Sequence, residues 1–107
     1  MIVLVTGGRD YQGDVSCLDM IKIDILIHGG AKGADQRAAW YCQSKGIHCA
    51  QVNALWDVYD RGAGFKRNLA MLLLKPDYCV AFPGGNGTKM MKELCENHGI
   101  PVWEPYV

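Results

Sequence analysis

The sequence predicts an α/β domain: an open, doubly wound parallel sheet of about five strands in the order 3-2-1-4-5, with helices on both faces. Three observations predict it. Short apolar runs alternate with helix-like segments along the whole chain, in the order β-α-β-α-β-α-β-α-β. The first runs are continuously apolar, as strands buried on both faces require. The first, second and fourth runs empty into glycine-rich loops, and right-handed crossovers in a parallel sheet bring such loops to one edge.

Ile2 to Val5 is the first strand and ends in Thr6-Gly7-Gly8-Arg9-Asp10-Tyr11. Asp14 to Ile21 carries Val15, Leu18 and Ile21 at helical spacing and reads as a short helix. Ile23 to Ile27 is the second strand, emptying into His28-Gly29-Gly30-Ala31-Lys32-Gly33-Ala34-Asp35. A helix from about Ala34 to Lys45 turns Ala34, Ala38, Tyr41 and Cys42 inward, and Gly46 stops it. Ile47 to Val52 alternates somewhat, as an edge strand would. Asn53 to Gly64 reads as a long loop, and a long loop in so small a domain is more often functional than idle.

The helix from about Gly64 to Lys75 places Phe65, Leu69, Leu72 and Leu73 on one face, widened by Met71 and Leu74. A helix that broadly apolar is either deeply buried or covered in part by a second subunit; in so short a chain the second subunit is favoured, and a homodimer is expected. Pro76 ends this helix. Asp77 to Phe82 is the fourth strand, and Pro83-Gly84-Gly85-Asn86-Gly87-Thr88 turns it into a helix from Lys89 to His98. That helix buries Met91, Leu94, Cys95 and His98, and Thr88 reads as its cap. Gly99 stops it, and Ile100 to Trp103 forms the last strand.

A chain of 107 residues is read as one domain, residues 1–107, able to bury roughly two-thirds of its unfolded surface. Lys plus Arg and Asp plus Glu are both 11, so no net charge pulls the protein toward nucleic acid or a membrane. The apolar runs fall short of a membrane span, and Met1 to Val5 lacks the length and basic flank of a signal peptide. A cytoplasmic location is expected. Cys17, Cys42, Cys49, Cys79 and Cys95 are odd in number and form no CxxC pair, which indicates neither a disulfide framework nor a metal site.

The function is read from the glycine loops. A strand, a glycine turn and a helix start present unpaired N–H groups and a positive dipole end to an anion. One such turn serves equally well as plain geometry, but three converging beside the switch point between strands 1 and 4 form a site for a nucleotide-derived anion. Gly84, Gly85, Asn86, Gly87 and Thr88 would hold phosphate, and Gly29, Gly30 and Gly33 a second part of the ligand, with Lys32 as mobile counter-charge or ordinary surface lysine. Gly7 and Gly8 allow close backbone approach. Arg9 would face phosphate and Asp10 a ribose hydroxyl or leaving group, unless the two form a salt bridge that locks the loop. Asp35 favours a helix start through the dipole, or contacts a sugar. Arg67, followed by Asn68, suits bidentate phosphate recognition. Trp56 either stacks on a base as a lid or packs its loop onto the body.

Four of these segments carry a resemblance. Val5-Thr6-Gly7-Gly8-Arg9-Asp10-Tyr11, His28 to Asp35, Ala63-Gly64-Phe65-Lys66-Arg67-Asn68-Leu69-Ala70-Met71 and Ala81-Phe82-Pro83-Gly84-Gly85-Asn86-Gly87-Thr88 resemble the YspA-like branch of the SLOG superfamily. The resemblance implies a Rossmann-like domain that binds nucleotides or nucleotide-derived signals, related to the LOG phosphoribohydrolases and the DNA-processing protein DprA. LOG enzymes follow the glycine turn with a catalytic glutamate, whereas Lys89, Met90 and Met91 stand here and Glu93 lies further along. A binding module without cofactor is therefore the first reading. The alternative is a hydrolase of an N-glycosidic or phosphoribosyl bond, with Asp10 as the carboxylate. Single-strand DNA binding is disfavoured by the neutral charge and by an expected scarcity of exposed aromatics.

Overall fold

A computed structural model describes residues 1–106. The strands are β1 (Ile2–Thr6), β2 (Ile25–His28), β3 (His48–Gln51), β4 (Tyr78–Ala81) and β5 (Val102–Trp103). They form one five-stranded sheet in the order β3-β2-β1-β4-β5, with every neighbouring pair parallel. The helices are α1 (Ala34–Lys45), α2 (Trp56–Tyr59), α3 (Ala63–Leu73) and α4 (Asn86–Asn97).

The strand period of two sorts the core onto two faces. Val3 and Val5 of β1 join Leu26, Val80 and Phe82 against Ala34, Ala38 and Cys42 of α1. Leu4, between them, joins Ile27 and Cys79 on the opposite face, against Met71 and Leu72 of α3 and Met91 and Cys95 of α4. Burial on both sides is the reason these strands are continuously apolar. Gly46 closes α1 in the left-handed conformation, φ 70°, as its position after Lys45 predicts. Among the described residues no helix is long and apolar enough to cross a membrane.

Several expectations need correction. Asp14–Ile21 is not an α-helix but a 3-10 turn over Ser16–Met20, because the Asp14 carboxylate captures both the backbone N–H and the hydroxyl of Ser16. Asn53–Gly64 is not a bare loop: α2 and a second 3-10 turn, Asp60–Gly62, fill it. In α3 the buried face is Ala63, Asn68, Met71 and Leu72, rotated from the expected one, leaving Phe65 and Leu73 outside at 46% and 79% exposure. The rotation turns Asn68 inward. His98 lies outside, its Nδ1 2.8 Å from the Leu94 carbonyl at the end of α4. Thr88 is not the cap: α4 begins at Asn86, Gly85 holds the cap position, and no side chain caps it. Exposed aromatics are not scarce, since Trp40, Trp56, Tyr59 and Phe65 all face outward.

Candidate functional site

The ends of β1, β2 and β4 meet through backbone hydrogen bonds. The Gly8 N–H donates to the Pro83 carbonyl at 2.9 Å, and the Ala34 N–H donates to the Gly8 carbonyl at 3.1 Å. The loop after β1 is thereby tied to the loop after β4 and to the start of α1. Gly7 lies where a side chain would meet Ala34 Cβ at 2.5 Å and Phe82 Cβ at 2.9 Å, so α1 and β4 close in only because the residue is glycine.

The buried polar side chains of the described chain are Thr6, His28, Asp35, Asn68 and Thr88, all on this carboxyl edge. Four of them, all but His28, line one cavity of about 370 Å³ together with Arg9, Arg67 and Trp56. A buried polar group without a hydrogen bond is costly, so their concentration here calls for partners. Part of that demand is met internally. Asp35 Oδ2 accepts from the Gly29 N–H at 3.1 Å and the Ala31 N–H at 3.2 Å. His28 Nδ1 accepts from the Gly30 N–H at 3.0 Å, which leaves the ring proton on Nε2. Arg67 Nη1 donates to the Gly29 carbonyl at 2.7 Å, and its Nε donates to Asn68 Oδ1 at 3.0 Å.

The rest is left for the cavity. Within the described residues the Asn68 Nδ2 and the hydroxyls of Thr6 and Thr88 make no hydrogen bond, yet no fully occluded side-chain polar atom lacks a partner. These atoms are therefore open to solvent on residues that line the cavity, Thr88 also bordering the larger one across its loop. Gly85 and Gly87 line it too, with empty space where each Cβ would stand, which leaves the first N–H groups of α4 accessible.

The electrostatics are unbalanced toward positive. Ion pairs among the described residues join the N-terminus to Asp24, Lys45 to Asp19 and Lys92 to Glu104, and neither Arg9 nor Arg67 has one. The alternative reading of an Arg9–Asp10 salt bridge is not met among the described residues; Arg9 lies instead over the Trp56 ring, 6.0 Å from its centroid. Burial lowers the Arg67 pKa, Asp35 opposes that shift, and the nearby Arg9 charge adds to it. Burial raises the Asp35 pKa, against the pull of its two N–H donors and of Arg67.

These shifts make stability depend on pH. His28, lowered from 6.5 by burial, is protonated in the unfolded chain first, so stability falls as pH drops from 6.5 toward the folded value. Asp35 acts in the opposite sense: raised above 3.8, it holds its proton longer when folded, so its contribution declines as pH rises from 3.8 through the folded value. Urea midpoints for Asp35→Asn, whose amide oxygen still accepts the two N–H bonds, are expected to gain on the wild type across that window and then run parallel. A constant offset at every pH would show that Asp35 titrates as it does unfolded.

The sequence-selected residues divide by position. Gly7, Gly8, Arg9, Asp35, Trp56, Arg67, Asn68, Gly85, Gly87 and Thr88 share the cavity. Gly29, Gly30 and Lys32 line an adjoining one of about 430 Å³, whose wall includes Arg9, Trp56 and Arg67 again. Gly84 and Asn86 face the other side of their loop, a cavity of about 580 Å³ bordered by Lys92 and Glu104. Gly33 packs against the carbonyls of Gly8 and Arg9. Asp10 is exposed and lines none of these cavities. Thr6 and His28 escaped selection; each is a polar residue closing an apolar strand, and that was their signal. Among the described residues no three His, Cys, Asp or Glu side chains cluster to hold a metal.

Residues 1–59 match the protein family described as YspA, cpYpsA-related SLOG. The chain is also similar to the Gene 61 protein of Mycobacterium phage D29, with 31% identity over 115 residues, covering 94% of this chain and 92% of that protein.

Proposed function

The chain belongs to the YspA, cpYpsA-related SLOG family, and from that premise we propose that it binds a nucleotide-derived small molecule in order to sense, carry or sequester it. The observation that carries this reading is the cavity at the switch point: it gathers four of the buried polar side chains around two arginines that have no ion-pair partner. A phosphate fits the chemistry of its floor, where the N–H groups that open α4 and the Thr88 hydroxyl are free to donate and Arg67 has guanidinium donors left over. Asp35 Oδ1 takes a ribose hydroxyl, and Trp56, half-exposed above the cavity, covers a base. The balanced charge of the chain supports a small ligand over nucleic acid. Free cysteines at all five positions fit a cytoplasmic setting.

A hydrolase of an N-glycosidic or phosphoribosyl bond is the second reading, and one observation favours it: Asp35 is a buried carboxyl of raised pKa on the cavity wall. Asp10, outside the cavity, would leave that role to Asp35.

Native mass spectrometry with nucleoside mono- and diphosphates, ADP-ribose and cyclic dinucleotides tests both readings. An intact ligand is expected to stay bound, with affinity about tenfold lower in Thr88→Val, the loss of one hydrogen bond to a charged group. Cleaved products would establish the hydrolase, and an empty protein throughout would overturn the nucleotide site. The same spectra read the subunit state. A homodimer is expected from the outward Phe65, Leu73 and Leu74, and a monomer at high concentration would refute it.

A further inference from the structure

We infer that the ligand carries two separate anionic groups, one seated at the start of α4 and the other in the adjoining cavity beside Lys32. The inference rests on the nucleotide reading above and extends it. The two cavities, about 370 and 430 Å³, share Arg9, Ala31, Trp56 and Arg67 as a common wall. Each alone lies near the lower end of the roughly 300–1,000 Å³ typical of small-molecule sites.

Their charges differ in kind. The α4 cavity has two cations and one carboxylate, Asp35, and it holds the buried Asn68 with its unpartnered Nδ2. The adjoining cavity is lined by Arg9, Lys32 and Arg67 and by no carboxylate at all. None of those three cations has an ion pair among the described residues. In a chain whose acids and bases balance at 11 each, three cations line this cavity against one nearby acid, Asp35, which acts on Arg67 from behind the shared wall. Arg9 and Arg67 repel one another there, and an anion relieves that repulsion.

One phosphate cannot lie on both sides of a wall built from Arg9, Trp56 and Arg67. Two anionic groups on one nucleoside can, with the nucleoside passing over the half-exposed Trp56 ring and Arg9 and Arg67 reaching both ends. Linking the two groups makes the second contact intramolecular and raises affinity without any new protein group. The chemistry selected is that of a nucleotide with a second phosphate or equivalent anion away from the first.

Isothermal titration with 5′-AMP, 3′-AMP and adenosine 3′,5′-bisphosphate tests this. The bisphosphate is expected to bind at least tenfold more tightly than either monophosphate. Lys32 is exposed, so Lys32→Ala leaves the fold intact; it is expected to lower the affinity for the bisphosphate far more than that for 5′-AMP. Thr88→Val weakens 5′-AMP and the bisphosphate alike. Equal affinity for mono- and bisphosphate, or an equal loss for both in Lys32→Ala, would overturn the second anion site and leave the first standing. No binding by any of the three probes would reject the nucleotide site and the inference together.

Discussion

Arg67→Ala is expected to lower the affinity for any phosphate-bearing nucleotide about a hundredfold and to destabilise the fold by about 1–3 kcal/mol. The side chain has two jobs. Its Nη1 and Nε hold the Gly29 carbonyl and Asn68 Oδ1, and its guanidinium occupies the space over Gly29 where a Cβ would otherwise stand. Truncation leaves both acceptors without their donor and removes the cation that offsets the burial of Asp35. On the proposed reading the remaining guanidinium donors serve the ligand, and losing charge-assisted bonds worth about 1.5–3 kcal/mol each gives the hundredfold figure. Arg67→Lys restores the charge but not the planar fork, so it is expected to recover part of the affinity and little of the stability. Titration calorimetry and urea unfolding separate the two effects. An affinity within threefold of wild type in Arg67→Ala would remove Arg67 from the site.

Gly33→Ala and Gly87→Ala are expected to fail in opposite ways. Gly33 has φ +75°, where an L side chain is strained, and its Cβ would fall on the backbone carbonyls of Gly8 and Arg9. Backbone cannot swing aside as a side chain can, so a loss of roughly 3 kcal/mol or more is expected. Each kcal/mol lowers the melting temperature by roughly 4–8 °C in a domain of this size. Gly87 sits in the first turn of α4 with no atom within 4 Å of its Cβ position. Alanine there keeps the fold or improves it by up to about 1 kcal/mol through helix propensity. It also sets a methyl group beside the open N–H donors, so binding is expected to drop sharply. Scanning calorimetry paired with titration reads both. A Gly87→Ala protein that is stable and binds as well as wild type would place the phosphate elsewhere.

Much of this architecture was legible because it is written in local spacing. The apolar runs of β1, β2 and β4 and the glycine loops behind them place three carboxyl ends on one edge whatever the side chains later do. Ala34 to Lys45 followed by Gly46 defines α1 to the residue, since helical spacing and a left-handed stop both act within a few positions. The site was legible as a set of loops and less so as a set of contacts. Asp10 and Asp35 look alike in sequence, each an acid near a glycine turn. Only Asp35 is buried, because its carboxylate folds back on the Gly29 and Ala31 N–H groups. Arg9 met Trp56 rather than its neighbour Asp10, a pairing across 47 positions of chain that no local pattern encodes.

By itself, then, the sequence determined the doubly wound sheet, its strand order and the edge where the glycine loops gather. The tertiary structure decided which face of α3 turns inward, which carboxylate lines the cavity, and that Arg67 closes over Gly29. The physical reason is one of range. Period and turn chemistry act over a few residues and set the elements, whereas burial, charge pairing and the share of hydrogen bonds left for a ligand depend on segments that meet only when the chain is folded.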